Sequence, residues 1–227
     1  MRKIAVIGLG RFGMELACRL SASGTEVIAI DRNPNLINEI KDDVDVAVRL
    51  DSTDEAALRS QEIDKVDVCV VAIGENFESA LLTTVLARKL EISEVICRAQ
   101  TQSHADIFRQ IGSDEVIQPE QQAGLHLARK LANPHLKDFI TLSEGYTLVE
   151  LDAPDGFVGK TLKEIALRVK YGVNLVAIKR TILTGREGEV AEQEKIISVP
   201  GPDTMIEEND ILVLVGSDEA LARLSRE

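Results

Sequence analysis

The chain has 227 residues, 44% of them apolar and 28% charged, with five phenylalanines, two tyrosines and no tryptophan; this length and balance suit two unequal soluble domains and exclude a disordered chain. Its formal net charge of −12 repels nucleic acid and anionic lipid, whose affinity for proteins comes largely from neutralised phosphates, although a small anion can still bind where a few cations converge. No stretch approaches the ~18 apolar residues that cross a bilayer, which excludes direct membrane insertion; Cys18, Cys69 and Cys97 lie unpaired in apolar segments and a strand is predicted directly after Met1, Arg2 and Lys3, so a cytoplasmic protein with buried thiols and no signal peptide is expected.

The first strand, KIAVIG, runs into glycines 8, 10 and 13 and a helix beginning near Arg11. In that setting a GxGxxG stretch reads as a dinucleotide-binding turn, the alternative being a turn that merely needs glycine. Gly8 permits the tight turn, Gly10 lets the backbone approach a pyrophosphate, Gly13 lets helix and strand pack closely, and the helix N-terminus offers unpaired N–H groups. Arg11 adds a guanidinium suited to bidentate phosphate recognition, for which a dehydrogenase has no general need. The second strand, EVIAID, ends in Asp31, where a carboxylate can accept from an adenosine ribose and repel a 2′-phosphate. This favours NAD, ADP or ATP over NADP, with Arg32 counted beside it. Helix capping is the alternative for Asp31, and Asn33 serves that purpose equally well.

The third strand ends in RLDSTDE, where Asp51 is placed to face an adenine edge. Ser52 is counted with the site, although capping of the next helix by Ser52 or Thr53 accounts for it equally. After the fourth strand, VDVCVVAIG, the positions Ala72, Ile73 and Gly74 reach the carboxyl edge of the sheet, either as ligand contacts or as a simple strand end. The helix in NFESALLTTVLARKL is expected to turn Leu81, Val85 and Ala87 to Leu90 towards the sheet. EVICRA, the fifth strand, ends in Arg98, a second candidate cation on the same rim. The sixth, DEVIQP, precedes Glu120, which reads either as an exposed helix-starting glutamate or as a carboxylate tied to a polyphosphate through a divalent cation, Mg2+ or Ca2+. Alternation of six such runs with helices predicts an α/β, Rossmann-like doubly wound parallel sheet over residues 1–118.

Residues 119–142 read as a crossover helix and linker, with Leu125, Ala128 and Leu131 on one face and a stop at Asn133-Pro134. From 143 to 227 the pattern becomes that of a small α+β C-terminal domain: YTLVELD, a helix LKEIALRVKY, the strand NLVAIKR, a polar excursion TGREGEVAEQE, then KIISVP and ILVLVGS before a short helix. A unit of that size often gains stability by pairing with a second copy. His104, His126 and His135 lie apart, and no HExxH, nucleophile elbow, Walker lysine or cysteine cluster occurs, so a nucleotide is expected to be bound and not transformed. The competing readings are an NAD(H)-binding redox sensor and a small NAD-dependent oxidoreductase.

In order and spacing, VIGLGRFG, VIAIDRNP, VRLDSTDE, VVAIGENFESALLTTVLARKL, CRAQ and IGSDEVIQPEQQAG, followed by VGKTLKEIALRVKYGVNLVAIKR and ENDILVLVGS, resemble the cytosolic regulatory subunits of bacterial potassium uptake systems of the Ktr and Trk type. Those subunits join an RCK (TrkA-N) domain to a TrkA-C domain. The resemblance implies a nucleotide-gated dimer and octameric ring, peripheral to the inner face of the cell membrane beneath an integral-membrane potassium-translocating subunit. It implies that Gly8, Gly10, Arg11, Phe12 and Gly13 cradle phosphates, Asp31 holds the ribose, Asp51 lies near the base and Arg98 approaches the phosphates. By the same likeness Arg11 reaches a neighbouring subunit's ligand and Glu120 is associated with a cation, which favours ATP and ADP over NAD and NADH. Some relatives of the Ktr type bind cyclic di-AMP in the C-terminal domain, where Arg168, Asn174 and Pro200 are the corresponding candidates here; alternatively Arg168 merely flanks a core helix.

Overall fold

The computed structural model describes residues 2–184 and 191–224, and the chain divides into two compact units, Met1–Gly124 and Leu125–Glu227. In the first, strands β1 (Lys3–Ile7), β2 (Glu26–Asp31), β3 (Val46–Arg49), β4 (Val68–Val71), β5 (Glu94–Arg98) and β6 (Glu115–Ile117) alternate with helices α1 (Arg11–Ala22), α2 (Pro34–Ile40), α3 (Glu55–Ser60), α4 (Phe77–Lys89) and α5 (Gln102–Gln110), and α6 (Pro119–Ala132) follows. All six strands are parallel, in the order β3-β2-β1-β4-β5-β6. A sheet covered by crossover helices on both faces must be apolar on both. Ile4, Val6, Val27, Ala29, Val68 and Val70 accordingly pack on one side and Ala5, Ile7, Ile28, Ile30, Cys69 and Val71 on the other. The strand order reverses between β1 and β4, and in open α/β sheets a crevice opens outside the carboxyl ends at that point.

Helix starts follow from local chemistry, with one departure from expectation. Asn33 Oδ1 accepts from Asn35 N–H, Asp54 from Ala56 and Ala57, Asn76 from Ser79 and Thr101 from His104, each satisfying an orphan helix donor. Asn33, not Asp31, therefore caps α2, and Asp54, not Ser52 or Thr53, caps α3. Ser52 is buried, with its hydroxyl 2.7 Å from Thr83 Oγ1. Helix α4 turns Ala80, Thr83, Thr84 and Ala87 inward and leaves Leu82 46% and Val85 45% exposed, where Val85 was expected against the sheet. Apolar and polar residues are both spread around the helix, so its pattern marks no face. Helix α6, by contrast, buries no residue, and Leu125 and Leu131, which the sequence puts on one face, are exposed.

The second unit holds β7 (Leu136–Ser143), β8 (Tyr146–Asp152), α7 (Leu162–Ile165), α8 (Leu167–Lys170), β9 (Asn174–Thr184), β10 (Ala191–Ile197), β11 (Ile211–Ser217) and α9 (Asp218–Leu224). Its antiparallel sheet has the order β10-β9-β11-β8-β7. Strand β11 is central, which explains its apolar run; Leu212, Val213 and Leu214 are buried. Residues 136–142, read from sequence as linker, belong to the edge strand β7 paired with β8; register shifts at Leu136/Asp138 and Thr141/Ser143 break the period of two that would betray it. The predicted single helix LKEIALRVKY breaks at Ala166, which has φ +52. Ile165 and Leu167 are both buried, and on one continuous helix residues two apart point to nearly opposite sides. Of the polar excursion TGREGEVAEQE, residues 185–190 lie outside the described residues; on either side the β9–β10 ladder extends to Thr184 opposite Ala191.

Among the described residues no helix is long and apolar enough to cross a membrane. The three cysteines are free: Cys69 and Cys97 are buried as expected, whereas Cys18 is only partly so. Burial pushes the Cys69 thiol up to about 12 and raises that of Cys97, which makes both poor nucleophiles.

Candidate functional site

A cleft of about 960 Å³ opens at the carboxyl edge of the parallel sheet. Its wall brings together Gly8, Gly10, Arg11 and Phe12 from the β1–α1 turn, Asp31 and Arg32 after β2, Asp51 and Ser52 after β3, and Ala72, Ile73 and Gly74 after β4. Arg98 from β5 and Glu120 from the first turn of α6 complete it. Of the first-unit positions singled out in the sequence, Gly13 alone is not on the wall. It lies beneath, where a Cβ would overlap the Gly8 carbonyl oxygen.

The three glycines meet different requirements. Gly8 has φ +96, and a Cβ there would lie 2.9 Å from the Ile73 backbone nitrogen, so the fold itself demands it. Gly10 has φ −63, and no protein atom lies within 4 Å of where its Cβ would stand. Nothing in the chain needs glycine at Gly10; the bare backbone faces open space in the cleft. Helix α1 starts beside it with no side-chain cap and no acidic residue in its first turn, which leaves its N–H groups and partial positive charge available to an anion.

The carboxylates are held differently. Asp31 accepts from the N–H groups of Leu9 and Asn33, both at 2.7 Å, so it ties the glycine turn to the start of α2. Each of its oxygens keeps a lone pair for a hydroxyl donor. Asp51 accepts from the backbone N–H and the hydroxyl of Thr53, bonds that hold its carboxyl below the ordinary range, with the nearby charge of Arg32 adding to them.

Arg98 lies over Gly74, where a Cβ would collide with its guanidinium. Its side chain is 15% exposed, its Nη2 pairs with Glu120 Oε1, and its Nε is buried without a partner among the described residues. Glu120 is held below the ordinary carboxylate range first by its own backbone N–H at the start of α6, then by Arg98 and Arg11, against the opposing pull of desolvation. No group of three or more His, Cys, Asp and Glu side chains able to hold a metal occurs among the described residues. As a cation ligand, Glu120 offers a single carboxylate already engaged by Arg98; a divalent ion needs about six oxygens, so the residues of this chain do not by themselves form a metal site.

In the second unit Arg168 Nε donates to Asn174 Oδ1 at 2.8 Å, so these two candidates meet, and Pro200 lies in the connection between β10 and β11. The cleft also includes Asn33, Leu36, Leu50, Glu75, Asn76, Ser79 and Gln100, which the sequence reading leaves out. Most of these lie within a few residues of a predicted strand end, and the rule that carboxyl-edge loops share one crevice is the signal that reaches them.

A doubly wound sheet carrying a glycine turn and an uncapped helix start at its switch point, with a carboxylate fixed at the end of the neighbouring strand β2, defines a nucleotide-binding domain of the Rossmann class. Residues 4–119 match the TrkA-N domain and residues 146–227 the TrkA-C domain, and the chain belongs to the family built from that pair. Ktr system potassium uptake protein C of Bacillus subtilis (strain 168) is 35% identical over 225 residues, 99% of this chain and 96% of that protein. Ktr system potassium uptake protein A of Vibrio alginolyticus is 31% identical over 221 residues, 97% and 95% of the two chains. Among solved structures, the GsuK RCK domain superposes with a TM-score of 0.55 at 25% identity, covering 99% of this chain and 46% of that one. The GsuK channel bound to NAD gives 0.54 at 26% identity, covering 100% of this chain and 38% of the longer one.

Proposed function

We propose that this protein is a nucleotide-sensing regulatory subunit of a potassium uptake system, cytosolic and held at the inner face of the membrane by an integral-membrane potassium-translocating subunit. The observation that carries this reading is the end-to-end similarity to Ktr potassium uptake proteins in a chain whose cleft gathers Gly10, Arg11, Asp31, Asp51 and Arg98. Nucleotide is a signal here and is returned intact.

ATP and ADP are the ligands this site suits: the open backbone at Gly10 and the α1 N-terminus for phosphates, Asp31 for ribose, Asp51 near the base, and Arg11 and Arg98 for the terminal charges. A divalent cation, Mg2+ or Ca2+, would have to be completed by phosphate oxygens and water around Glu120 after its release from Arg98. NAD or NADH is the second reading, favoured by the similarity to the GsuK channel bound to NAD. Asp31 serves both, whereas two guanidiniums at the phosphate end favour the more highly charged ligand. Gating follows by population shift, because a triphosphate and a diphosphate that interact differently with two arrangements of the assembly change their ratio. The exposed Leu82, Val85, Leu125 and Leu131 support self-association as a dimer and in an octameric ring. In the second unit the Arg168–Asn174 pair, with Pro200, is the candidate place for cyclic di-AMP.

Calorimetric titration with ATP, ADP, NAD, NADH and cyclic di-AMP tests this reading. Adenine nucleotides bind without turnover, and Arg11→Ala weakens ATP more than ADP. Failure to bind any of them, or steady conversion of one to product, overturns it.

A further inference from the structure

We infer that Glu120 is an internal competitor for the ligand's phosphate: its carboxylate holds the Arg98 guanidinium, and a phosphate takes its place when nucleotide binds. This rests on the nucleotide reading of the cleft and adds a device that sets its affinity. Three observations carry it. Arg98 is nearly immersed, fixed over Gly74 at the end of β5, while Glu120 is 66% exposed and reaches in from the first turn of α6. The pair joins one nitrogen to one oxygen, and Nε of the same guanidinium is buried with no partner among the described residues. Arg11 is on the same wall, and its charge acts on Glu120 as well.

A carboxylate paired with one guanidinium and within the field of another stands where a phosphate is wanted, and it is an incomplete occupant. An unpaired buried N–H destabilises the arrangement it belongs to. A phosphate group can meet Nε and an Nη together in the bidentate geometry that guanidinium favours. Exchange is thus downhill for Arg98, and the freed carboxylate costs little, because it returns to solvent beside the N-terminus of α6, where negative charge is favoured. A ligand without phosphate has nothing to offer Arg98 and leaves the pair closed. The exchange therefore discriminates by phosphate content. It also ties occupancy of the cleft to the first turn of α6.

The test is Glu120→Gln, titrated with ADP and with adenosine in EDTA, which removes any contribution from a divalent cation. A partly exposed ion pair that must open first lowers apparent affinity by a factor of about five. Glu120→Gln is thus expected to bind ADP about fivefold more tightly than the parent while adenosine is unchanged. In an Arg98→Ala background the same substitution gives no gain, which a general loss of negative charge would not predict. Unchanged or weaker ADP binding by Glu120→Gln, an equal gain for adenosine, or a gain that survives without Arg98 overturns the inference. A parent protein that binds no nucleotide fails at the earlier step and sinks the functional reading instead.

Discussion

At single positions, the glycines separate what the fold needs from what the ligand needs. Gly10→Ala meets no protein atom and keeps an ordinary backbone angle, so it should leave the melting temperature within a few degrees of the parent while weakening nucleotide binding at least tenfold, as read by calorimetry beside thermal unfolding. Gly13→Ala should do the reverse, lowering stability by about 2 kcal/mol or more, because its Cβ has no space against the Gly8 carbonyl. Loss of stability in both variants would remove the distinction. The sequence shows a GxGxxG and suggests a role for each glycine; only the contacts show that the chain itself requires Gly8 and Gly13 and leaves Gly10 unconstrained.

The break at Ala166 and the buried pair in the second unit are governed by elements and their packing. Ala166 carries a left-handed backbone so that Ile165 and Leu167 both reach the core. Ala166→Gly should therefore raise stability by about 0.5–1 kcal/mol in denaturant titrations, since relief of the strained angle exceeds the added freedom of the unfolded chain. A continuous helix would instead lose about 1 kcal/mol. Arg180 of β9 donates through Nε and Nη2 to both oxygens of Asp210, which is fully buried, and also to the Met205 carbonyl and to Glu207. Removal of one partner leaves the other charge uncompensated. Asp210→Asn is expected to cost about 3 kcal/mol, measured as a lowered denaturation midpoint with an unchanged slope. None of this was legible in sequence, because Arg180 and Asp210 are joined only by the fold of the second sheet.

The molecule as a whole is strongly acidic, and its depressed carboxylates all act in one direction. Asp51, held down by Thr53, Glu55 by Lys89 and Arg59, Glu62 by Lys65, Glu120 by its own backbone N–H and then Arg98, and Glu164 by Thr161 each bind protons less readily folded than unfolded. Their contribution is present above the ordinary carboxylate value of about 4 and disappears as pH falls through the lower folded values. Stability should hold from neutral pH to about 5 and decline below about 4, and a decline that began above pH 6 would contradict this assignment. The cleft lies within the first unit. Saturating ADP should slow hydrogen exchange at the β1–α1 turn and the ends of β2 and β5, with direct protection absent from the β8–β11–β9 ladder.

The chain's own pattern determined the parallel sheet, its switch point and most of the cleft's rim. Apolar runs of strand length between helical stretches leave few topologies, and residues that end parallel strands meet at one edge whatever the loops do. It could not determine the inward face of α4, the strand hidden in residues 136–143, the break at Ala166 or the Arg98–Glu120 pair. Those depend on packing against segments distant in sequence, and a side chain's partner there is decided by distance in space, which periodicity does not encode.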